Sequence, residues 1–517
     1  MRSCQGLSAL EAEIARDLEL TAHPHMEWMV PRVHAGKPAL DVLIVGAGQS
    51  GLVTAFGLMR ERVSNILVID RAPKGKEGPW VTFARMPTLR SPKVQTGPDL
   101  GMPSLTFQAW YEAQHGAQAF SDMHLIPSVD WHEYLLWYRR ILGLPVRNDV
   151  AATAIAPGRL DDGGPCLLVT LSTGEVLATR KLVLATGQDG TGEWWMPDFV
   201  RNLPAARRAH TCELEIDFAR LKGKVVAVLG AGASAMDNAA VALEHGAEVH
   251  LFTRWRPTGV QRFRWLTFVG FLRHMGDMPD LWRWRFMANI LNAREGFPPD
   301  TYTRVMAFPD TFTMHAERAW TDARMEEGRI RLETTRGPFH ADFAICGTGI
   351  RQNVHLRPEL APFADKIALW RDRFTPPAGE EDALLAAYPY LGPDYEFLEK
   401  VPGDAPWLGD IHVFGIGSTL SFGVSGSSIN AMNIAVPKLV ASLTRGLFAG
   451  DLQRHWQSLL AYDTKLVELD WSKIKTEQLS CSSGPRASSA LMSLSAQDAR
   501  GPEEHERQSG QLPPAGS

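Results

Sequence analysis

Five cysteines are all that 517 residues contain, and none stands in a CxxC pair or at metal-ligand spacing. Cys4, Cys166, Cys212, Cys346 and Cys481 are scattered and odd in number. That excludes a disulfide framework and a paired-thiol reductase, suits a reducing cytoplasm, and leaves no metal site to expect. Charge of one sign is also scarce. The formal net charge is -5, so no basic field draws the chain to nucleic acid or to an anionic membrane. No apolar run reaches the roughly 18 residues of a membrane helix. The opening segment, MRSCQGLSALEAEIARDLEL, carries acidic residues where a secretory signal would be apolar. The expectation is a soluble, cytoplasmic protein with a small-molecule partner, no nucleic acid and no membrane, and self-association left open. One long stretch, 411–437, has no Asp, Glu, Lys or Arg, but its Gly, Ser and Asn content does not suit lipid, so it reads as buried.

What is present is ordinary globular composition, 45% hydrophobic and 21% charged, in a chain long enough for two or three domains. Residues 1–37 read as a helical arm, with Leu7, Leu10, Ile14 and Leu18 at helical spacing. From Leu40, DVLIVGAGQSGLVTAFGLMRERVSNILVID reads strand, glycine turn, helix, strand. From Lys224, KVVAVLGAGASAMDNAAVALEHGAEVHLFTR repeats that architecture. The alternation predicts parallel sheets in an α/β fold. Beyond 476 the chain is rich in Ser, Pro and Gly without apolar period, and 477–517 reads as a disordered tail.

The two glycine turns point to dinucleotides. In GAGQSG, Gly46 permits the tight turn, Gly48 lets backbone approach a pyrophosphate, and Gly51 lets the helix pack on the sheet. The helix N-terminus then offers free amides to the phosphates. Asp70, 19 residues past Gly51 at the end of the next strand, suits the two hydroxyls of an unphosphorylated ribose. Ser50, Arg71 and Trp80 flank these residues and are carried with them as FAD candidates. The second turn keeps Gly230 and Gly232, followed by Ala233, Ser234 and, in third place, Ala235, a variant that fits a helix and strand one methyl further apart. Its second strand ends on Arg254 rather than an acid, which suits the 2'-phosphate of NADPH and leaves NADH open. Two small-residue strand ends, KLVLATGQ with Ala185, Thr186 and Gly187, and DFAICGTGI, suit chain crossings beside a cofactor.

In this order, GxGxxG with its acid, ATG, GxGxxA and GTG (Gly347, Thr348, Gly349) resemble the two-dinucleotide-domain flavoprotein monooxygenases, which include the flavin-containing and Baeyer-Villiger enzymes. The resemblance covers about residues 39–450. It implies two Rossmann-like, doubly wound domains, with the NAD(P)H domain inserted in the FAD domain: FAD over 38–200 and 351–476, NAD(P)H over 201–350 with a helical insertion. It implies FAD, NADPH or NADH, dioxygen as co-substrate, and oxygen transfer through a flavin hydroperoxide. The family's F-x-G-x-x-x-H linker is only partly kept in PAARRAH, where Pro204 and Ala206 replace Phe and Gly and His210 alone matches. TLRSPK, the Trp- and Arg-rich run 254–287 and STLSFGVSGSSINAMNIAVPKLV are similar to a bacterial branch with FAD-dependent urate hydroxylases, which implies urate as candidate substrate.

Such chemistry needs no triad or metal, because the protein excludes water and positions groups. Arg90 and Lys93 are candidates to hold a urate anion, with His210 a further catalytic candidate. Gly417, Ser425, Gly426 and Ser427 lie in a predicted strand, turn and helix whose amides suit the flavin's pyrimidine edge. Trp131, Tyr134, Leu135 and Tyr138 read as a packing stripe, and the run from Arg254 to Arg285 as amphipathic helices over the cofactor cleft. Alternatives are Baeyer-Villiger or N-oxygenation, an NAD(P)H oxidase or reductase without oxygen insertion, and a flavin-bound redox sensor.

Overall fold

The computed structural model describes residues 6–475, apart from 258, 260–262, 294–297 and 427; the tail read over 477–517 lies outside the described residues. Each glycine turn leaves the middle of a parallel sheet. In the first sheet the apolar run ends the strand Lys37–Val45, with Val42, Leu43 and Ile44 fully buried. Ile66–Ile69 and Val176–Leu184 flank it in parallel, and Val146–Arg147 adds beyond Ile66–Ile69. The sheet has eight strands: Pro165–Leu171 and Ala152–Arg159 extend it antiparallel, and Ile411–Val413 returns late in the chain to pair with Leu182 to Leu184. The N-terminal arm differs from its reading as helix and loops. Its helix, Leu7–Leu20, buries Leu10 and Ile14, but Arg32–His34 is a strand that pairs with the start of Lys37–Val45.

The second sheet is wholly parallel: Phe312–His315, Glu248–Phe252, Val225–Leu229, Phe343–Cys346 and Arg208–His210, in that order. Its central strands are near-continuous apolar runs because both faces are covered, one by the helix Ala233–Glu244 and the other by an antiparallel sheet. All of it comes from residues between the last two additions to the first sheet, so one doubly wound domain is inserted in the other. The chain crosses between them twice, at Gly192–Trp194 and Ile350–Gln352, and these crossings pair antiparallel as a two-stranded ribbon. An antiparallel sheet of Trp320–Glu326, Arg329–Thr334 and Phe339–Ala341 packs beside the second sheet, and the helices Val269–His274, Asp280–Leu291 and Pro299–Met306 form the insertion.

Trp131, Tyr134, Leu135 and Tyr138 are buried as a packing stripe on Ser128–Ile141. Most of 411–437 is buried too. Among the described residues no helix is long and apolar enough to cross a membrane. The chain divides after Gln457 into two units; the described part of the second holds only the end of helix Leu452–Ala461 and the turn Trp471–Lys473.

Arg180 ties the first sheet to the long C-terminal helix, Met432–Gly450. Its guanidinium stands 3.2 Å from Asp41 on the central strand and 2.8 Å from Asp451 at the helix end, and also meets the Leu447 carbonyl. All three charged residues are more than nine-tenths buried, and burial pushes the Asp41 carboxyl up to about 6 even with Arg180 beside it. Removing the cation strands the Asp41 carboxylate, while Asp451 keeps Arg32. Arg180→Met is expected to cost about 3–5 kcal/mol of stability, read by urea unfolding; a cost near zero would show that the cluster does not hold the helix to the sheet.

Candidate functional site

Register places both turns identically. Val45 pairs with Ile69 on one side and Leu184 on the other, so Gly46 emerges between Asp70 and Ala185. Leu229 pairs with Phe252 and Cys346, so Gly230 emerges between Thr253 and Gly347. Gly46 and Gly230 have φ of 110° and 108°, in the region that favours glycine. A methyl on Gly46 would overlap the Ala185 carbonyl, and one on Gly230 would lie 2.5 Å from the Gly347 carbonyl oxygen.

The third positions differ in mechanism. A methyl on Gly51 would collide with the Gly46 carbonyl, so glycine is required by the turn itself. Ala235 carries its methyl, fully buried, because the facing residue is Gly347, where a methyl would strike Ala235. Helix and strand are accommodated by a glycine across from the methyl. The middle positions are different again. Nothing lies within 4 Å of a methyl built on Gly232, and only the Gly78 Cα, at 4.0 Å, approaches one built on Gly48. Chain packing does not require these two glycines. The space they leave opens at the N-termini of Gln49–Arg60, which includes Ser50, and Ala233–Glu244, which begins with Ala233 and Ser234. A pyrophosphate fits there, against unpaired amides.

Asp70 closes the first turn. Its Oδ2 accepts the Ala47 N–H at 2.7 Å and its Oδ1 the Ala72 N–H at 2.8 Å, and burial raises its pKa. Each oxygen keeps a lone pair for a ribose hydroxyl. Over this turn runs the loop 72–80, held by the buried Glu77, which accepts from the Gly75 N–H, Arg139 and Asn148. Trp80 sits at its end, packed on Trp131. Arg71 points away, largely exposed, 3.7 Å from Asp189.

The remaining flavin-side candidates converge. Gly415 packs on the Gly187 carbonyl, and Ile416 N–H donates to it at 3.2 Å. Gly417 faces Thr191, Gly426 faces Ser418 and Gly415, and the Thr186 hydroxyl occupies the space beside Gly190. The expected strand, turn and helix is corrected in one respect. Between Ile411–Val413 and the helix Met432–Gly450 lie four short helical turns, because glycines at 415, 417, 423 and 426 break any longer helix. Ser425 has its backbone in the turn Gly423–Gly426, and Ser427 lies outside the described residues.

Arg254 is exposed at the end of Glu248–Phe252 and makes no hydrogen bond or ion pair among the described residues. Near it is a cation that the sequence reading missed. Arg351 follows GTG on the crossing ribbon, its guanidinium 3.4 Å from the centroid of the Trp195 ring. Burial and the neighbouring Arg254 lower its pKa, while Glu193 opposes them. Only its place after GTG signalled it.

Three candidates have partners within the chain. Lys93 Nζ donates to the Phe120 and Ser121 carbonyls at 2.7 and 2.6 Å, capping the helix Phe107–Asp122. Arg90 is committed to Asp237, at 2.9 Å. His210 is buried on Arg208–His210 beside Trp194, with Nδ1 3.3 Å from Cys212 Sγ, and burial lowers its pKa to about 4. At neutral pH it is an uncharged packing residue of the crossing. Burial likewise pushes the Cys212 thiol up to about 12, which makes it a poor nucleophile.

The glycines separate folding from binding. Gly48→Ala and Gly232→Ala should fold with unchanged thermal midpoints but lose affinity, the first for the flavin nucleotide and the second for the nicotinamide nucleotide. Gly51→Ala should instead lower stability by about 1–3 kcal/mol through overpacking. Differential scanning fluorimetry with and without each nucleotide distinguishes them, and a destabilised Gly232→Ala would refute the open cradle.

Comparison with known proteins agrees with this geometry. An FAD-NAD(P)-binding family model matches residues 43–189. The FAD-dependent urate hydroxylase of Xanthomonas campestris pv. campestris is 40% identical over 461 residues, 88% of this chain and 96% of that one. Two solved structures share the fold: L-lysine 6-monooxygenase from Pseudomonas syringae (TM-score 0.62, 20% identity, 79% of this chain and 99% of that one) and ornithine N-hydroxylase of Kutzneria sp. 744 (0.61, 16%, 79% and 99%). By that near-full-length identity, carried on two Rossmann-like turns, the chain belongs to the two-dinucleotide-domain flavoprotein monooxygenases, enzymes that use FAD and NAD(P)H.

Proposed function

We propose that urate is the substrate and that the reaction is urate + O2 + NADPH + H+ → 5-hydroxyisourate + NADP+ + H2O. The observation that carries this reading is the 40% identity to a urate hydroxylase across 96% of its length. The dinucleotide assignment follows from the two turns. In our reading residues 38–200 and 351–476 hold FAD and 201–350 hold the nicotinamide.

Bound FAD supplies the redox chemistry by which nicotinamide electrons activate dioxygen. The chain's own residues bind, orient and exclude water. The turn at Gly46, Gly48 and Gly51 takes the FAD pyrophosphate, and Asp70 takes its ribose. The amides around Gly417 and Gly426 stand beside Gly187, where they can meet negative charge on the pyrimidine edge. The buried apolar and small residues of 411–437 keep the reacting centre dry. On the nicotinamide side Arg254 offers a guanidinium that has no partner among the described residues to a 2'-phosphate, and the strand end Thr253 to Arg256 carries no carboxylate to repel it.

Purified protein should be yellow, and in air with NADPH it should consume oxygen faster when urate is added, with little peroxide formed. Oxygen uptake indifferent to urate, or ending wholly in peroxide, would remove urate as substrate. Arg254→Ala should lower kcat/KM for NADPH by roughly 10- to 100-fold, the worth of a hydrogen bond between charged groups, and leave NADH nearly unaffected. Equal losses for the two would remove the preference for the phosphorylated carrier.

A further inference from the structure

Asp237 is a buried carboxylate on the helix Ala233–Glu244, five residues past Gly232, and both of its oxygens are taken by groups from outside that helix. Arg90 Nη2 donates to Oδ2 at 2.9 Å and Thr301 Oγ1 donates to Oδ1 at 2.7 Å. The Arg304 guanidinium stands 3.8 Å from Oδ1 and also donates to the Arg85 carbonyl at 3.4 Å. Arg85 itself donates to the Glu213 carbonyl and lies 5.6 Å from the Phe218 ring centroid. Residues 85–90, which belong to the first-sheet half, are thus tied to the inserted half by side chains at both ends.

The same segment begins at the flavin-side turn. Trp80 packs on Gly78, and Gly78 is the residue facing position 48. From Gly48 a path of packed or bonded residues runs through Gly78 and Trp80, along the chain to Arg90, across to Asp237, and up its helix to Gly232. The covalent connections between the halves are only the two crossings of the ribbon Gly192–Trp194 and Ile350–Gln352. A two-stranded ribbon bends easily; the helix Asp280–Leu291 also packs on Trp370 and Leu420 of the first half, and the side chains at 85–90 brace the halves along the path that runs from one turn to the other.

We propose that the Arg90–Asp237 ion pair is a strut on that path, and that both residues are positioning residues for hydride transfer between the dinucleotides. The proposal rests on the two turns holding FAD and NAD(P)H as assigned above. In the step concerned NAD(P)H gives up a hydride and becomes NAD(P)+, and FAD takes it as two electrons and one proton. A charge-assisted bond from a planar guanidinium is short and directional, which suits it to fixing a distance. Misplacement of the reacting atoms by about 1 Å costs up to roughly 100-fold in rate.

The test uses the full FAD-loaded chain mixed anaerobically with NADPH, without urate, and follows flavin bleaching. Arg90→Gln is expected to slow bleaching at saturating NADPH by roughly 10- to 100-fold, with FAD content and NADPH affinity retained and a larger isotope effect from nicotinamide deuterated at the transferred position. Arg90→Lys should restore most of the rate. An unchanged saturating rate overturns the strut, as does a loss confined to NADPH affinity or matched by FAD release. Should Arg90→Gln not fold, Asp237→Asn, which keeps hydrogen bonding and drops the charge, decides by the same measurement. A wrong substrate leaves this result untouched, because urate is absent. Wild-type chain that stays colourless when offered FAD would overturn the cradle assignment and the strut together.

Discussion

Two carbonyl oxygens, those of Ala185 and Gly347, occupy the places where side chains would project from Gly46 and Gly230. The rest of the site depends on that contact. A strand end can cross so close to the preceding turn only if the turn residue lacks a Cβ and takes a positive φ, and both do. The crossing in turn aligns the third strand of each sheet with the first, at Leu184 beside Val45 and Cys346 beside Leu229. GxGxxG with ATG and GxGxxA with GTG are therefore not four independent motifs. They are two contacts, each written at two places in the chain, and the Ala235 methyl facing Gly347 shows the second pair adjusted as a unit.

The same pressure for closeness recurs where the domains join. Gly192 lies against the Arg351 carbonyl across the ribbon, and Gly415, Gly417 and Gly426 pack on Gly187, Thr191 and Ser418. Around the expected flavin position backbone meets backbone at Gly415 and Gly187, and the short hydroxyl side chains of Thr191 and Ser418 fill against Gly417 and Gly426. Glycine at this density lowers the folded state's entropy relative to the unfolded chain, and the loss is offset by the large apolar core of the first sheet.

Much of this was legible in the sequence because it is local. Glycine spacing, apolar runs of strand length and the residue at the strand end, Asp70 or Arg254, all fall within about 30 residues of each other, and register then brings them together. What was not legible is long-range partner choice. Arg90 meets Asp237 across 147 residues, and nothing near either residue announces the other. Lys93 looked like an anion holder because a loop lysine beside an arginine is ambiguous until the helix end it caps is in place. Arg351 and Trp195 meet through the pairing of Ile350–Gln352 with Gly192–Trp194, which no periodicity in three-residue strands can signal. His210 matched a motif by letter, yet burial makes it neutral and structural.

The two cradles also differ in how open they are, and this bears on the order of events. The first is roofed by the loop 72–80, which Glu77, Arg139 and Asn148 pin from beneath and Trp80 and Trp131 close at one end. Its proposed recognition group, Asp70, is partly buried and already bonded to two backbone amides. The second has nothing within 4 Å of a methyl on Gly232, and its proposed recognition group, Arg254, is exposed and without a partner among the described residues. A nucleotide entering the first must displace or slip beneath a braced loop, so it leaves slowly once seated. One entering the second in the proposed way meets an exposed charge that none of the described residues covers, which suits a carrier that arrives and departs. The asymmetry of covering thus matches a resident FAD with an exchanging nicotinamide.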